Sequence, residues 1–232
     1  TNNTNAYTAV TGELSFTLEY DSNGNLLRDA TNKYDYDYNS RLILANGSTY
    51  NYDALGRRIS KDNTNFYYAG DQVVEEMKGN EITSYLFGND VDDMLLMQKN
   101  EAVYYYTTNH LGSVINITDN TGSLVEHVDY DAYGLPVFTN AAGDLMEVSS
   151  IGNRILFAGR EYDAETGLYY YRTRTMHPGI GRFMQKDPTG YIDGMNDYAY
   201  VGNSPVMYID PSGLFTVNGF LQTMGFEGCP EP

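Results

Sequence analysis

Tryptophan is absent from the 232 residues, cysteine occurs once, and 14 lysines and arginines stand against 31 aspartates and glutamates. Each scarcity removes a class of function. The lone thiol, Cys229, supports neither a disulfide framework nor a thiolate metal cluster. A formal charge of -17 leaves no basic face to displace counterions from phosphates, so no nucleic-acid partner is expected. The same charge argues against a polybasic hold on anionic lipid. No apolar run approaches the roughly 20 residues needed to cross a bilayer, so membrane insertion is not expected. The opening TNNTNAYTAVTG lacks the basic start and apolar stretch of a signal peptide. A secreted protein would therefore carry this chain as a mature or internal piece. His110, His127 and His177 have no ligand spacing, and neither a metal nor a cofactor is expected. DSNGN at Asp21 to Asn25 looks faintly like a calcium loop, but its twelfth position is Asn32 where a Glu is needed, so it reads as a hairpin turn.

Tyrosine and glycine are present in quantity, 23 of each, with 9 phenylalanines. Tyr suits half-buried sheet surfaces, where the ring packs and the hydroxyl reaches water or a neighbouring strand. With Gly, Asn and Asp supplying turns, the composition reads as all-β. Tyr20-Asp21, Tyr36-Asp37 and Tyr52-Asp53 recur every 16 residues, and Tyr68-Ala69 keeps the phase. Such self-similarity marks stacked units that bury their faces against neighbours. Between them lie the turn signals SNGN, ANGS and ALGR. Helix signals are nearly absent; Gln72 to Met77 fits a short helical turn or a strand equally well. TNAAGDLMEVSS, from Thr139 on, reads as a surface excursion, and the first and last dozen residues are the weakest candidates for order. The sequons at Asn2, Asn46 and Asn116 matter only in a glycosylating compartment.

Two Asp-Pro-x-Gly tetrapeptides stand 23 residues apart: DPTG at Asp187 to Gly190 and DPSG at Asp210 to Gly213, the second followed by Leu214-Phe215. The ordinary reading is a pair of type I turns, with Asp first, Pro second and Gly fourth. The other is chemical. Two carboxylates a few ångströms apart do not both ionise, so one keeps a proton while the other serves as a base. The charged one can take a proton from water and the protonated one can polarise a carbonyl.

The Tyr-Asp repeats resemble the YD repeats of Rhs proteins, found also in teneurins and in the shell-forming component of bacterial insecticidal toxin complexes. From Tyr104 to Leu214 the chain resembles the Rhs repeat-associated core domain. The pieces that carry the likeness are NHLGSV, YDAYG, FAGREYDAETGLYYYRTR, PGIGRF, DPTGYIDGMNDYAYVGNSPV and IDPSGL, in that order. The resemblance implies a spiralling antiparallel ribbon of hairpins (1–103), a core that plugs its C-terminal end (104–214) and a short tail (215–232). It also implies self-cleavage after the Leu of the second DPxGL motif, here the Leu214-Phe215 bond. Asp187 and Asp210 would be the catalytic pair, with Arg172, Arg174 and Arg182 in support. The chain departs from the family's RYYDP at Arg174-Thr175-Met176-His177-Pro178. There His177 is either a turn residue before Pro or a titrating partner of the carboxylates.

Three functions follow as expectations: a structural segment of a shell with a self-cleavage site, a tube or filament subunit joined through open sheet edges, or a Tyr-rich binding module. The expected partners are other segments or copies of the same protein, and the freed 18-residue tail, Phe215 to Pro232, is a candidate enclosed peptide. Sugar binding has little support without Trp or a readable groove. The expected place is extracellular or at the cell surface.

Overall fold

The computed structural model describes residues 5–11 and 16–218. Thirteen strands form one antiparallel meander from Tyr34–Tyr36 to Leu145–Met146, each bonded to its neighbour in sequence. Gln72–Lys78 is a strand in the middle of this ribbon, not a helical turn. The segment after Thr139 continues the meander through a turn into Leu145–Met146 before leaving it. The Tyr20 unit adds the short Glu19–Tyr20/Leu26–Arg28 hairpin, linked to the start of the meander by the Arg28–Lys33 bridge.

The hairpins share one wiring, and it explains the aspartate of the repeat. At Asp21, Asp37, Asp53, Asn109, Asp119, Asp131 and Asn140, Oδ1 accepts the backbone N–H groups two and four residues on. The residue three further on donates its N–H to the Asx carbonyl and takes a positive φ. Glycine fills that position in six of these turns and Ser40 in the seventh. DSNGN is one of these turns. The tyrosine has its own task. Hydroxyls of Tyr36, Tyr52 and Tyr68 donate to the carbonyls of Leu26, Leu42 and Arg58, always ten residues back, at 2.7–2.8 Å. Each bond caps the end of a strand pair where the backbone ladder has opened.

The ribbon curls its apolar face round the remainder of the chain. Glu126, fully buried, turns the chain inward: its carboxylate accepts from Ser149 Oγ, Ser150 N and Oγ, and Ile151 N. Inside lies a four-stranded sheet, Glu161–Asp163, Leu168–Tyr171, Arg174–His177 and Arg182–Phe183. Its aromatic core of Tyr169, Tyr171, Phe183, Tyr200 and Phe157 packs on Val128 and Phe138 of the ribbon. Edge-to-face pairs, such as Tyr171 with Phe183 at 5.5 Å, use the ring quadrupoles as well as the buried area. Core and ribbon are also joined by buried charge. Arg58 binds Asp163 and Glu161, and Arg154 binds Glu161 and Glu76.

Candidate functional site

The hairpin between Leu168–Tyr171 and Arg174–His177 has a two-residue tip, Arg172-Thr173, with Tyr171 paired to Arg174. Arg172 takes φ 62°, the left-handed conformation such tips require. Three consecutive side chains from this tip grip three consecutive carbonyls of the second Asp-Pro-x-Gly. Arg172 Nη1 donates to Pro211 O at 2.6 Å, Thr173 Oγ1 to Ser212 O at 2.7 Å, and Arg174 Nε to Gly213 O at 2.5 Å. Thr173 Oγ1 also lies 2.9 Å from Gly213 O. The approach is close enough that a Cβ on Gly213 would overlap the Tyr171 carbonyl oxygen and stand 2.7 Å from Thr173 Oγ1. Gly213 also has φ 73°, so two independent reasons demand glycine there.

Arg174 brings the two aspartates together. Its Nη2 lies 2.9 Å from Asp187 Oδ2 and 3.3 Å from Asp210 Oδ2, and all three side chains are almost fully buried. The guanidinium stacks on Phe183 at 3.7 Å, and Nη1 donates to Asp197 O, which also accepts the Asp187 N–H. The remaining oxygen of Asp210 faces the Leu-Phe bond. Oδ1 accepts the N–H groups of Gly213, Leu214 and Phe215 at 2.8, 3.0 and 3.2 Å. Burial pushes the Asp210 carboxyl above its ordinary range, against the opposing pull of Arg174 and of those three N–H groups. Asp187 Oδ1 is engaged with Thr189 N and Oγ1. Leu214 is half-buried and Phe215 is 44% exposed, so the peptide between them lies at the surface end of a buried carboxyl pair.

The first tetrapeptide is the turn its composition predicts, with Gly190 N donating to Asp187 O; the second is a bend in which Gly213 N donates to Asp210 Oδ1 instead, and Tyr208–Ile209 pairs across it with Val217–Asn218. The turn and the meeting of the carboxylates are therefore compatible. The other expected residues divide. Arg174 stands between the aspartates, and Arg172 grips the loop behind them. Arg182 lies elsewhere: its Nη1 donates to Asn5 O and its guanidinium covers Tyr7. His177 does not face the pair either. Its Nε2 sits 3.2 Å from Asp29 Oδ2, which also accepts the Tyr34 hydroxyl at 2.5 Å. Burial would raise the Asp29 pKa, but the hydrogen bonds from His177 and Tyr34 prevail and hold it well below the usual carboxylate range.

Residues 219–232, which include most of the tail and Cys229, lie outside the described residues, as does the Asn2 sequon. Sequence reasoning missed Thr173, which grips the loop, Arg160, which also donates to Pro211 O, and Asp92, which is ion-paired with Arg160. Thr173 and Arg160 sit inside recognised motifs, where an arginine and a hydroxyl beside a glycine-rich turn were available signals. Asp92 lies in GNDVDD, which reads only as a turn.

The model of the teneurin YD-shell family matches residues 5–206. The tRNA3(Ser)-specific nuclease WapA of Bacillus spizizenii is 39% identical over 158 residues, covering 65% of this chain and 6% of that protein. Toxin subunit YenC1 of Yersinia entomophaga is 37% identical over 115 residues, covering 50% of this chain and 11% of that subunit. Among solved structures, the Photorhabdus luminescens Tc holotoxin pore superposes with a TM-score of 0.68 at 23% identity, over 85% of this chain and 11% of that one. The chain thus spans a small fraction of the length of these relatives.

Proposed function

The chain belongs to the teneurin YD-shell family, with an Rhs-type scaffold fold related to toxin complexes, and on that premise we propose that it is a wall-and-plug segment that cuts itself once, between Leu214 and Phe215. By family likeness its parts are a repeat segment (1–103), a core domain (104–214) whose first strands, up to Leu145–Met146, complete the ribbon, and a tail (215–232). The observation that carries this reading is the arrangement at Arg174. One guanidinium nitrogen binds both Asp187 and Asp210, and the other oxygen of Asp210 holds the nitrogen of the bond to be cut.

The proposed chemistry has two steps. Asp187 acts as base and takes a proton from a water whose oxygen adds to the Leu214 carbonyl carbon. Asp210, which burial favours in its neutral form, delivers a proton to the Phe215 nitrogen as the C–N bond breaks. The products are the Leu214 carboxylate and the Phe215 amine. Arg174 keeps the two carboxylates close without requiring both to be charged and unpaired. Arg172 supports the loop by holding the Pro211 carbonyl, and Arg182 acts through the fold around Asn5 and Tyr7.

The test is the intact mass of the purified chain beside Asp210→Asn. The expected result is a wild-type mass lacking Phe215 to Pro232 and an uncut variant. Two intact masses would overturn self-cleavage and leave the paired turns as architecture. We further propose that the segment works outside the cell, with other segments or copies of the same protein as its partners. No helix among the described residues is long and apolar enough to cross a membrane.

A further inference from the structure

Resting on the self-cleavage reading, we infer that Asp92, from the ribbon, positions the cleavage loop through two core arginines, so that the site is assembled only when the ribbon has closed over the core. Asp92 lies in the loop between strands Glu81–Phe87 and Met94–Lys99, 80 residues from Arg172 in sequence. Its carboxylate is ion-paired with Arg160 and, at 2.7 Å, with Arg172. Both arginines use their other terminal nitrogen on one acceptor. Arg160 Nη1 and Arg172 Nη1 donate to Pro211 O at 2.7 and 2.6 Å. Pro211 directly follows Asp210. The relay is therefore short: ribbon carboxylate, two guanidiniums, and the carbonyl next to the catalytic aspartate.

The fit of the ribbon loop to the core is close. Asp92 is buried and takes φ 60°, a conformation uncommon for a residue with a side chain. It faces Gly159, which is also left-handed at φ 65° and follows the left-handed Ala158 at φ 52°. A Cβ on Gly159 would stand 3.0 Å from Asp92 O and 3.1 Å from Asp92 Cβ. Backbone held in this way on both sides of a contact is found where the surrounding structure over-determines it. A planar guanidinium can hold a carboxylate and a carbonyl at once, which a lysine ammonium does poorly. Without Asp92, the buried Arg160 and the partly buried Arg172 beside Pro211 would repel one another and no longer be directed at it. Asp92 is a positioning residue, since it touches neither the scissile bond nor the carboxylate pair.

The test compares Asp92→Asn with Glu76→Gln in the full chain. Glu76 is the partner of Arg154 in the buried network away from the cleavage loop, so its loss reports general destabilisation. In a chain that cleaves, refolding from denaturant should show Asp92→Asn slowing cleavage about tenfold or more, with Glu76→Gln within about twofold of wild type. The second readout needs no activity. In an Asp187→Asn background, hydrogen exchange at the Gly213, Leu214 and Phe215 amides should quicken about tenfold with Asp92→Asn and stay unchanged with Glu76→Gln. If Asp92→Asn does not fold, Arg172→Lys replaces it. That variant keeps the ion pair, and a single ammonium cannot span Asp92 and Pro211, so faster exchange is again expected. Unchanged protection in the folded variant, or equal loosening by Glu76→Gln, overturns the relay. An uncut wild type with loosened amides in Asp92→Asn would defeat self-cleavage and leave the relay standing.

Discussion

Glu161 shows how much a single side chain carries in this molecule. Burial would raise its pKa, but Arg154 and Arg58 outweigh that and bring it down to about 2. A carboxylate depressed by folding contributes stability that is fully present above its unfolded value and is lost as pH falls through the folded one. The chain should therefore hold its stability down to about pH 4.5 and lose it progressively towards pH 2, while Glu161→Gln flattens that stretch of the profile. At neutral pH the same substitution leaves two buried cations short of a partner and costs about 3–5 kcal/mol. Urea unfolding at a series of pH values measures both effects, and a profile unchanged in Glu161→Gln would refute the assignment. Asp210 works with the opposite sign. Its carboxyl is raised, so its contribution is present at low pH and declines as pH rises through its folded pKa. Burial of this carboxyl is thus a cost to the fold that grows as pH rises.

At the scale of the hairpin, the sixteen-residue unit depends on two bonds from its Tyr-Asp pair. The aspartate closes the next turn and the tyrosine ties the strand it ends to the strand before. Tyr68→Phe removes only the hydroxyl that donates to Arg58 O and should cost about 1 kcal/mol, a fall in melting temperature of about 2–4 °C. Calorimetry of that variant decides it, and no change would mean that the bond is replaced by water at no cost. These elements were largely readable from sequence. The phase of Tyr20, Tyr36, Tyr52 and Tyr68 and the turn residues between them foretell strand and loop. The Gln72–Lys78 strand was ambiguous because its pattern of half-buried residues alternates poorly and a bulge between Val73 and Glu75 shifts its register. In the core, sequence separation hides the contacts. Nothing local in GNDVDD says that Asp92 meets Arg160 and Arg172, and the Arg182 of GRF gives no sign that Asn5 and Tyr7 are its partners. The first Asp-Pro turn was plain, the pairing of the two aspartates came only from family likeness, and nothing in the sequence singled out Arg174 from Arg172 and Arg182 as the group between them.

Taken whole, the molecule is a curled ribbon whose last strand, Leu145–Met146, pairs on one side with Pro136–Asn140 before the chain turns inward. Leu145 is 77% exposed, and unpaired edge groups beside an apolar side chain invite another strand. The isolated chain should therefore self-associate at micromolar concentration, and Leu145→Lys should shift it towards monomer. Sedimentation equilibrium reads this directly, and a monodisperse wild-type monomer would count heavily against edge-to-edge assembly. The tyrosine bonds have one more consequence, for how such walls change over generations. Because the hydroxyl of each unit reaches a carbonyl ten residues back within the same unit of spacing, a duplicated or lost repeat brings its own fastening with it. A copied hairpin would lengthen the ribbon like a course of brick, whereas the inner contacts, which join residues far apart in sequence, could not be copied piecemeal.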